Sequence, residues 1–444
     1  MKKIKQCFVF ALVAGLCFSC EINDGLMDND LPIDLSNAIE ITEAEVQGSP
    51  WVLCANGYNP LDRYGMAPKI VLAGNLDNSF DIAWLDMASK TIKISSFNAN
   101  GHLIANIIPD FIGSTNNLLG FAKVSLDGSY VLGYSKDNAS GDKDFELWIA
   151  RFNSNGNKIF NTRIFGNRPS TDFMSKGTPG LASSARIVYN EQTQRICFYT
   201  GHTMLWNDNV RHQGGYIGFL DLGGRQVMKG TNNPVGNTWF FSHNFDQRLM
   251  VADGKYYALA HGDAYPRSLG FSVWTDDASA VKNPLINTDY FTIPGEAGDN
   301  TTNTQTGGFV SLPDGTVGIV FASSVSRKKR DACFLKLDKS GNILASKWLT
   351  QNTISDAVNP KIAVYGTRVL IAWQDYNGSV LKTNFIELDL NGKVASGSTV
   401  LENIVLQPMG DWVMLPNGDI IWAICANTQK FTVFRIKNDA PVFN

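Results

Sequence analysis

Four of the five histidines, His202, His212, His243 and His261, fall between residues 202 and 261. The last opens out of the string "AHGDAYPRSLGF" (260–271), which sets His261, Asp263, Tyr265 and Arg267 within seven positions. Three chemistries suit these residue types. Histidine with tyrosine and arginine can take a proton from beside a carboxylate and neutralise the resulting enolate. Two or three imidazoles with Asp263 are ligand types for a divalent metal. Trp206, Trp239 and Tyr265 offer flat apolar faces to sugar rings, with His, Asp and Arg left to bond hydroxyls; that is binding without turnover. Each residue also has an ordinary role: a loop histidine caps or hydrogen-bonds, and Asp263 can brace the turn before Pro266 and pair with Arg267.

What positions these residues is a repeat. Helical periodicity is almost absent, and short strand-like runs alternate with Gly, Asn and Asp turns. One half of the unit is a hairpin around a tight turn, as in "VSLDGSYVLGYS" (124–135), "MVADGKYYALAH" (250–261), "VSLPDGTVGIVFAS" (310–323) and "VMLPNGDIIWAI" (413–424). Asp-Gly and Asn-Gly supply the positive φ that such turns need. The other half is a second hairpin, as in "IARFNSNGNKIFNTRI" (149–164) and "FLKLDKSGNILASKWL" (334–349). In the fourth unit only "GFSVW" (270–274) precedes a long polar connection. The first-hairpin turns mark seven units spaced by about 50–65 residues, and four strands at that period predict an all-β chain folded as a seven-bladed β-propeller. The seventh unit lacks its outer strand. The unassigned strand "PWVLCA" (50–55) is expected to complete it and close the ring, removing a sheet edge.

These strand–Asp/Asn-x-x-Gly-Asn–strand units resemble the repeats of bacterial secreted propeller proteins over most of residues 68–437. The resemblance implies a toroidal scaffold and carries no catalytic residues. The Ser-x-Asp-x-Gly-x-Thr-Trp turn of sialidase-type propellers is missing, which weighs against that class. Some lyases of uronic-acid polysaccharides are propellers with His, Tyr and Arg sites, an analogy of chemistry without a shared motif.

The N-terminus reads as an export signal: Lys2, Lys3 and Lys5, an apolar run from Cys7 to Phe18, then Ser19-Cys20. The run is shorter than the roughly 20 residues that span a bilayer. Cys20 is the expected lipidation site, making residues 1–19 a signal peptide and tying the protein to the membrane of the bacterial cell envelope. Residues 20–49 carry eight acidic and no basic side chains and are expected to be a solvated tether. Residues 50–444 form the propeller. Losing the three signal lysines takes the formal charge from −3 to −6, so no nucleic-acid partner is expected. Beyond Cys20 the cysteines (Cys54, Cys197, Cys333, Cys425) lie far apart in apolar runs and read as buried thiols. No metal or cofactor is expected, and "DNASGDKD" (137–144) lacks the alternating ligands of a calcium loop.

In a propeller the A–B and C–D turns lie on one face, and the B–C loops and D–A connections on the other. Longer loops on a rigid scaffold are where function concentrates. Three consecutive segments then converge on one rim. They are the blade-three B–C loop (201–215, with His202, Trp206 and His212), the connection into blade four (237–249, with Trp239, His243, Asp246 and Arg248), and the blade-four B–C loop (His261, Asp263, Tyr265, Arg267). "RKKR" (327–330) reads as a solvated basic loop beside them, and the connections near 166–182 and 275–306 as possible covers. The leading expectation is an extracellular ligand, a glycan or a protein, held by this rim of blades three to five. The alternative is a polysaccharide lyase or hydrolase with His243 or His261 as base, assisted by Tyr265 and Arg267.

Overall fold

A computed structural model describes residues 35–46, 48, 68, 70–115, 117–137, 145–165, 185–205, 211–229, 233–234, 239–242, 244–262, 269–276, 284–291, 302–378, 381–425 and 429–438. Apart from one helical turn (Leu35–Ala38), the regular structure is antiparallel sheet. Seven four-stranded sheets form seven blades. The innermost strands of blades one to seven are Ile70–Gly74, Asn117–Val124, Ala185–Asn190, Asn244–Ala252, Gln305–Ser311, Asp356–Tyr365 and Val413–Met414.

Burial explains why the middle strands are near-continuous apolar runs. A blade is covered on both faces by its neighbours, so strands such as Phe80–Asp86 and Val317–Ser323 are buried at every position. One hydrophobic cluster lies between each pair of adjacent blades. Leu249, Tyr256 and Trp274 of blade four meet Cys197, Tyr199 and Phe219 of blade three. Phe80 and Trp84 of blade one meet Ile421 and Phe431 of blade seven, which completes the ring. Cys197, Cys333 and Cys425 are buried thiols in these layers, and burial pushes Cys333 to about 12; Cys54 lies outside the described residues.

The recurrent Asp/Asn-x-x-Gly turn has a local cause. Asn98, Asn153, Asp221, Asp338 and Asp389 each accept two backbone N–H groups, two and four residues on, at 2.8–3.0 Å. Gly101, Gly156, Gly224, Gly341 and Gly392 follow three residues later at φ of 79–86°, where a side chain would be strained.

Two expectations about strands are corrected. The strand that closes the ring is Ile39–Glu45, which pairs with Lys430–Ile436 along its whole length; residues 50–55 lie outside the described residues. It falls within the segment read as a tether because an outermost strand can carry charge and protect the edge. Lys430 pairs with Glu43 at 3.3 Å, and Lys437 pairs with Glu40. Blade four does have an outer strand, Ile286–Tyr290, inside the connection read as a possible cover.

Candidate functional site

Every inner strand runs from the D–A connections to an A–B turn, so residues early in these strands lie at the connection-loop end of the axis. Blades three to seven place a buried polar cluster there. Arg186 is the second residue of its strand, Asp246 and Arg248 the third and fifth, Thr306 the second, and Lys361 the sixth. Asp411 stands two residues before Val413, on the connection into blade seven.

Backbone irregularities aim these groups at the axis. Pairing shifts register between Phe245 and Arg248, between Thr306 and Gly308, and between Val358 and Lys361. Asp246 and Asn359 adopt φ of 54°, a left-handed conformation uncommon for residues other than glycine. Bulges of this kind re-aim side chains and recur beside functional sites. Gly307 is required here, because an added Cβ would lie 2.6 Å from the Pro360 carbonyl of the next blade.

The centre of the cluster is the Asp411 carboxylate. Arg186 grips it side-on, Nε to Oδ2 at 2.5 Å with Nη2 3.5 Å from Oδ1, and Arg248 Nη1 donates to Oδ1. Arg248 also pairs with Asp246 at 2.9 Å and reaches Thr306 Oγ1 and O at 3.3 Å each. Thr306 donates its N–H to Asp246 at 3.1 Å. Lys361 Nζ donates to the Pro408 carbonyl at 3.2 Å. Arg248 and Lys361 are 1% exposed, whereas the Asp411 side chain keeps 39% exposure. The Asp411 side chain is therefore only part-covered, with both its oxygens held by buried arginines. It also ties blades three and four to the last connection across the axis.

Charge follows from this geometry. Burial alone would raise the Asp411 carboxyl, but Arg186 and then Arg248 outweigh it and hold the acid well below the usual carboxylate range. Burial also opposes the charge on Arg248, and Asp246 and Asp411 more than restore it. Lys361 is pulled down to about 7, by burial first and then by Arg248, with Arg186 adding to the effect and Asp411 and Asp246 opposing it. Between about pH 7 and the ordinary lysine value near 10.5, the unfolded chain holds a proton that the folded chain has released. Stability therefore rises with pH in that interval. The melting temperature should climb from neutral pH toward pH 9, and Lys361→Met should flatten that climb. A wild-type curve identical to that of Lys361→Met across this range would refute the assignment.

Of the residues expected at the rim, Asp246 and Arg248 belong to this cluster. His261 is buried at 1% exposure near the end of the second strand of blade four, paired with Phe245 and Leu269. His202 and His212 stand on paired strands, opposite Gly214 and Met204, because these strands extend into the segment read as a loop. Trp239 begins the outermost strand of blade three, Trp239–Ser242, rather than leading into the inner strand of blade four. Trp206, His243, Asp263, Tyr265 and Arg267 lie outside the described residues, as do 138–144 and 166–184. "RKKR" is not simply a solvated loop. Arg330 is 2% exposed, Arg327 pairs with Asp331 and lies 4.0 Å over Trp348, and Lys329 pairs with Asp356.

Sequence reasoning missed Arg186, Lys361 and Asp411. The available signal was a basic residue four positions before the end of the inner strand in blades three, four and six (Arg186, Arg248 and Lys361). A cavity of 540 Å³ opens on the opposite, tight-turn face, lined by Asn75, Asp77, Lys123, Tyr189, Glu191 and Met414 among others. Its lysine is paired with Asp81 at 2.9 Å. Among the described residues no group of His, Cys, Asp and Glu is arranged to hold a metal, and no helix is long and apolar enough to cross a membrane.

No family model and no curated protein matches the chain. Among solved structures it is similar to a polysaccharide lyase described as an ulvan lyase, at 8% identity and TM-score 0.47, covering 88% of this chain and 95% of that one. It is also similar to a puromycin-hydrolyzing peptidase of Mycobacterium tuberculosis, at 7% identity and TM-score 0.47, covering 89% of this chain and 56% of that one. A Hadza microbial sialidase matches at 12% identity and TM-score 0.41, with 74% and 67% covered. At these scores the likeness carries no argument about activity.

Proposed function

We propose that this protein is an exported propeller, lipid-anchored at Cys20 in the bacterial cell envelope, that binds an extracellular glycan at the connection-loop end of its channel. The observation that supports this reading is the part-exposed Asp411 side chain, its carboxylate held by two arginines. A charged acceptor flanked by fixed donors is suited to sugar hydroxyls, because charge-assisted hydrogen bonds are stronger than neutral ones. Binding of the full-length protein to an array of neutral and acidic glycans tests it. Retention of one glycan class, abolished by Arg186→Met, is the expected result. A blank array together with capture of a defined envelope protein would replace the glycan with a protein ligand.

One observation favours turnover at the same place. The Lys361 amine is drawn to about 7 beside two guanidinium groups, which sets a base next to groups able to neutralise an enolate. Incubation with uronic-acid polysaccharides should then produce the ultraviolet absorbance of an unsaturated uronide. Its absence, with no new reducing ends, counts against any polysaccharide-cleaving enzyme.

A further inference from the structure

We infer that the axial cluster is a carboxylate-binding site in which Asp411 stands in for the carboxylate of an acidic sugar, so that the ligand is a uronic-acid-type glycan admitted by replacement of Asp411. This inference rests on the glycan reading above for the sugar, and on the geometry of the clamp for the acid.

Three cations from three different blades, Arg186, Arg248 and Lys361, are set against two carboxylates, Asp246 and Asp411. Asp246 belongs to the frame. It is 2% exposed, pairs with Arg248 and accepts from Thr306 of the next blade. Asp411 also pairs with Arg248, but it differs in exposure and in what carries it. It is carried by a connection with no strand pairing from residue 402 to 412, and its side chain is 39% exposed. Withdrawing it breaks no inter-strand ladder, although Leu406, Met409 and Trp412 anchor the same connection in the interior. With Asp411 withdrawn, a side-on arginine and a second guanidinium would face one opening, with the buried Lys361 behind them. Two arginines converging in this way suit the flat, two-oxygen edge of a carboxylate. The remaining net charge of the clamp, with Asp246 counted, would be +1 from the two arginines alone and +2 when Lys361 is protonated, so an arriving anion is more strongly favoured than a neutral sugar.

The exchange can be read by replacing the stand-in. Full-length Asp411→Ala is expected to melt at a lower temperature than the wild type, because two buried guanidinium groups lose their shared carboxylate. Sodium acetate and sodium glucuronate at tens of millimolar should return most of that loss. Sodium chloride at equal ionic strength and glucose should not. Adding Arg186→Met to Asp411→Ala should abolish the acetate response, which a general salt effect would leave intact. If Asp411→Ala does not accumulate as folded protein, Asp411→Asn keeps the side-chain volume. Its expected result is tighter glucuronate binding than wild type by calorimetry. Equal responses to acetate, sulfate and chloride, or no response in either variant, would overturn the carboxylate site. A glycan array separates the two readings. Binding of neutral glycans without carboxylate rescue removes this inference and leaves the glycan function standing. Rescue with a blank array keeps the carboxylate site and removes the glycan.

Discussion

Replacing Arg248 with Met should destabilise this protein more than any other single substitution in the axial cluster. Arg248 is buried and holds Asp246, Asp411 and Thr306 at once. Its removal leaves Asp246, itself 2% exposed, as a buried carboxylate beside a neutral side chain. Breaking one partner of a buried pair typically costs about 3–5 kcal/mol, far more than the net worth of the intact pair. The urea midpoint should fall accordingly with an unchanged slope. Arg248→Lys should not repair it, because an ammonium is a compact charge that cannot span two carboxylates and a threonine as the forked guanidinium does. Arg186→Met should cost less, since its carboxylate partner keeps water on one side. Equal midpoints for the two methionine variants would show that Asp246 does not depend on Arg248.

Removing the closing strand should do comparable damage by a different route. A chain beginning at Gln47 lacks Ile39–Glu45 and strips the partner from Lys430–Ile436. It also removes Leu35 and Ala44 from the clusters on either side of blade seven. The expected loss exceeds about 4 kcal/mol, in the range reserved for disrupted cores and networks. The bared edge should in addition recruit other chains. Thermal melting and sedimentation would show a lowered, broadened transition and oligomers. A truncated chain that stays monomeric and melts within about 2 °C of the full one would show that the ring does not need this strand.

Both expectations concern features that are hard to see in the chain. The closing strand escaped because an outermost strand needs little apolar surface. "IEITEAE" has the composition of a tether, and only its pairing with Lys430 and Lys437 shows otherwise. The histidine-rich rim looked like loops because Gly, Asn and polar residues dominate it. Instead the strands run on to Leu205 and resume at Arg211, where cross-strand pairing overrides weak local propensity. The axial cluster was half legible. Asp246 and Arg248 stood out beside the histidines, whereas Asp411 lies 225 positions from Arg186 and 163 from Arg248.

What the sequence determined by itself is what local physics controls. An Asp or Asn that accepts the N–H groups two and four residues on, with glycine at positive φ, specifies its hairpin without the rest of the molecule. Seven recurrences of the first-hairpin turn specify the number of blades. The tertiary structure alone decided which residues meet. Closing the ring brings the beginnings of distant inner strands within hydrogen-bonding distance, and bulges at Asp246, Gly307 and Asn359 turn polar groups toward the axis. No local pattern records a contact made across the centre of a torus, because the charges that meet there are stabilised by one another and not by their neighbours in the chain.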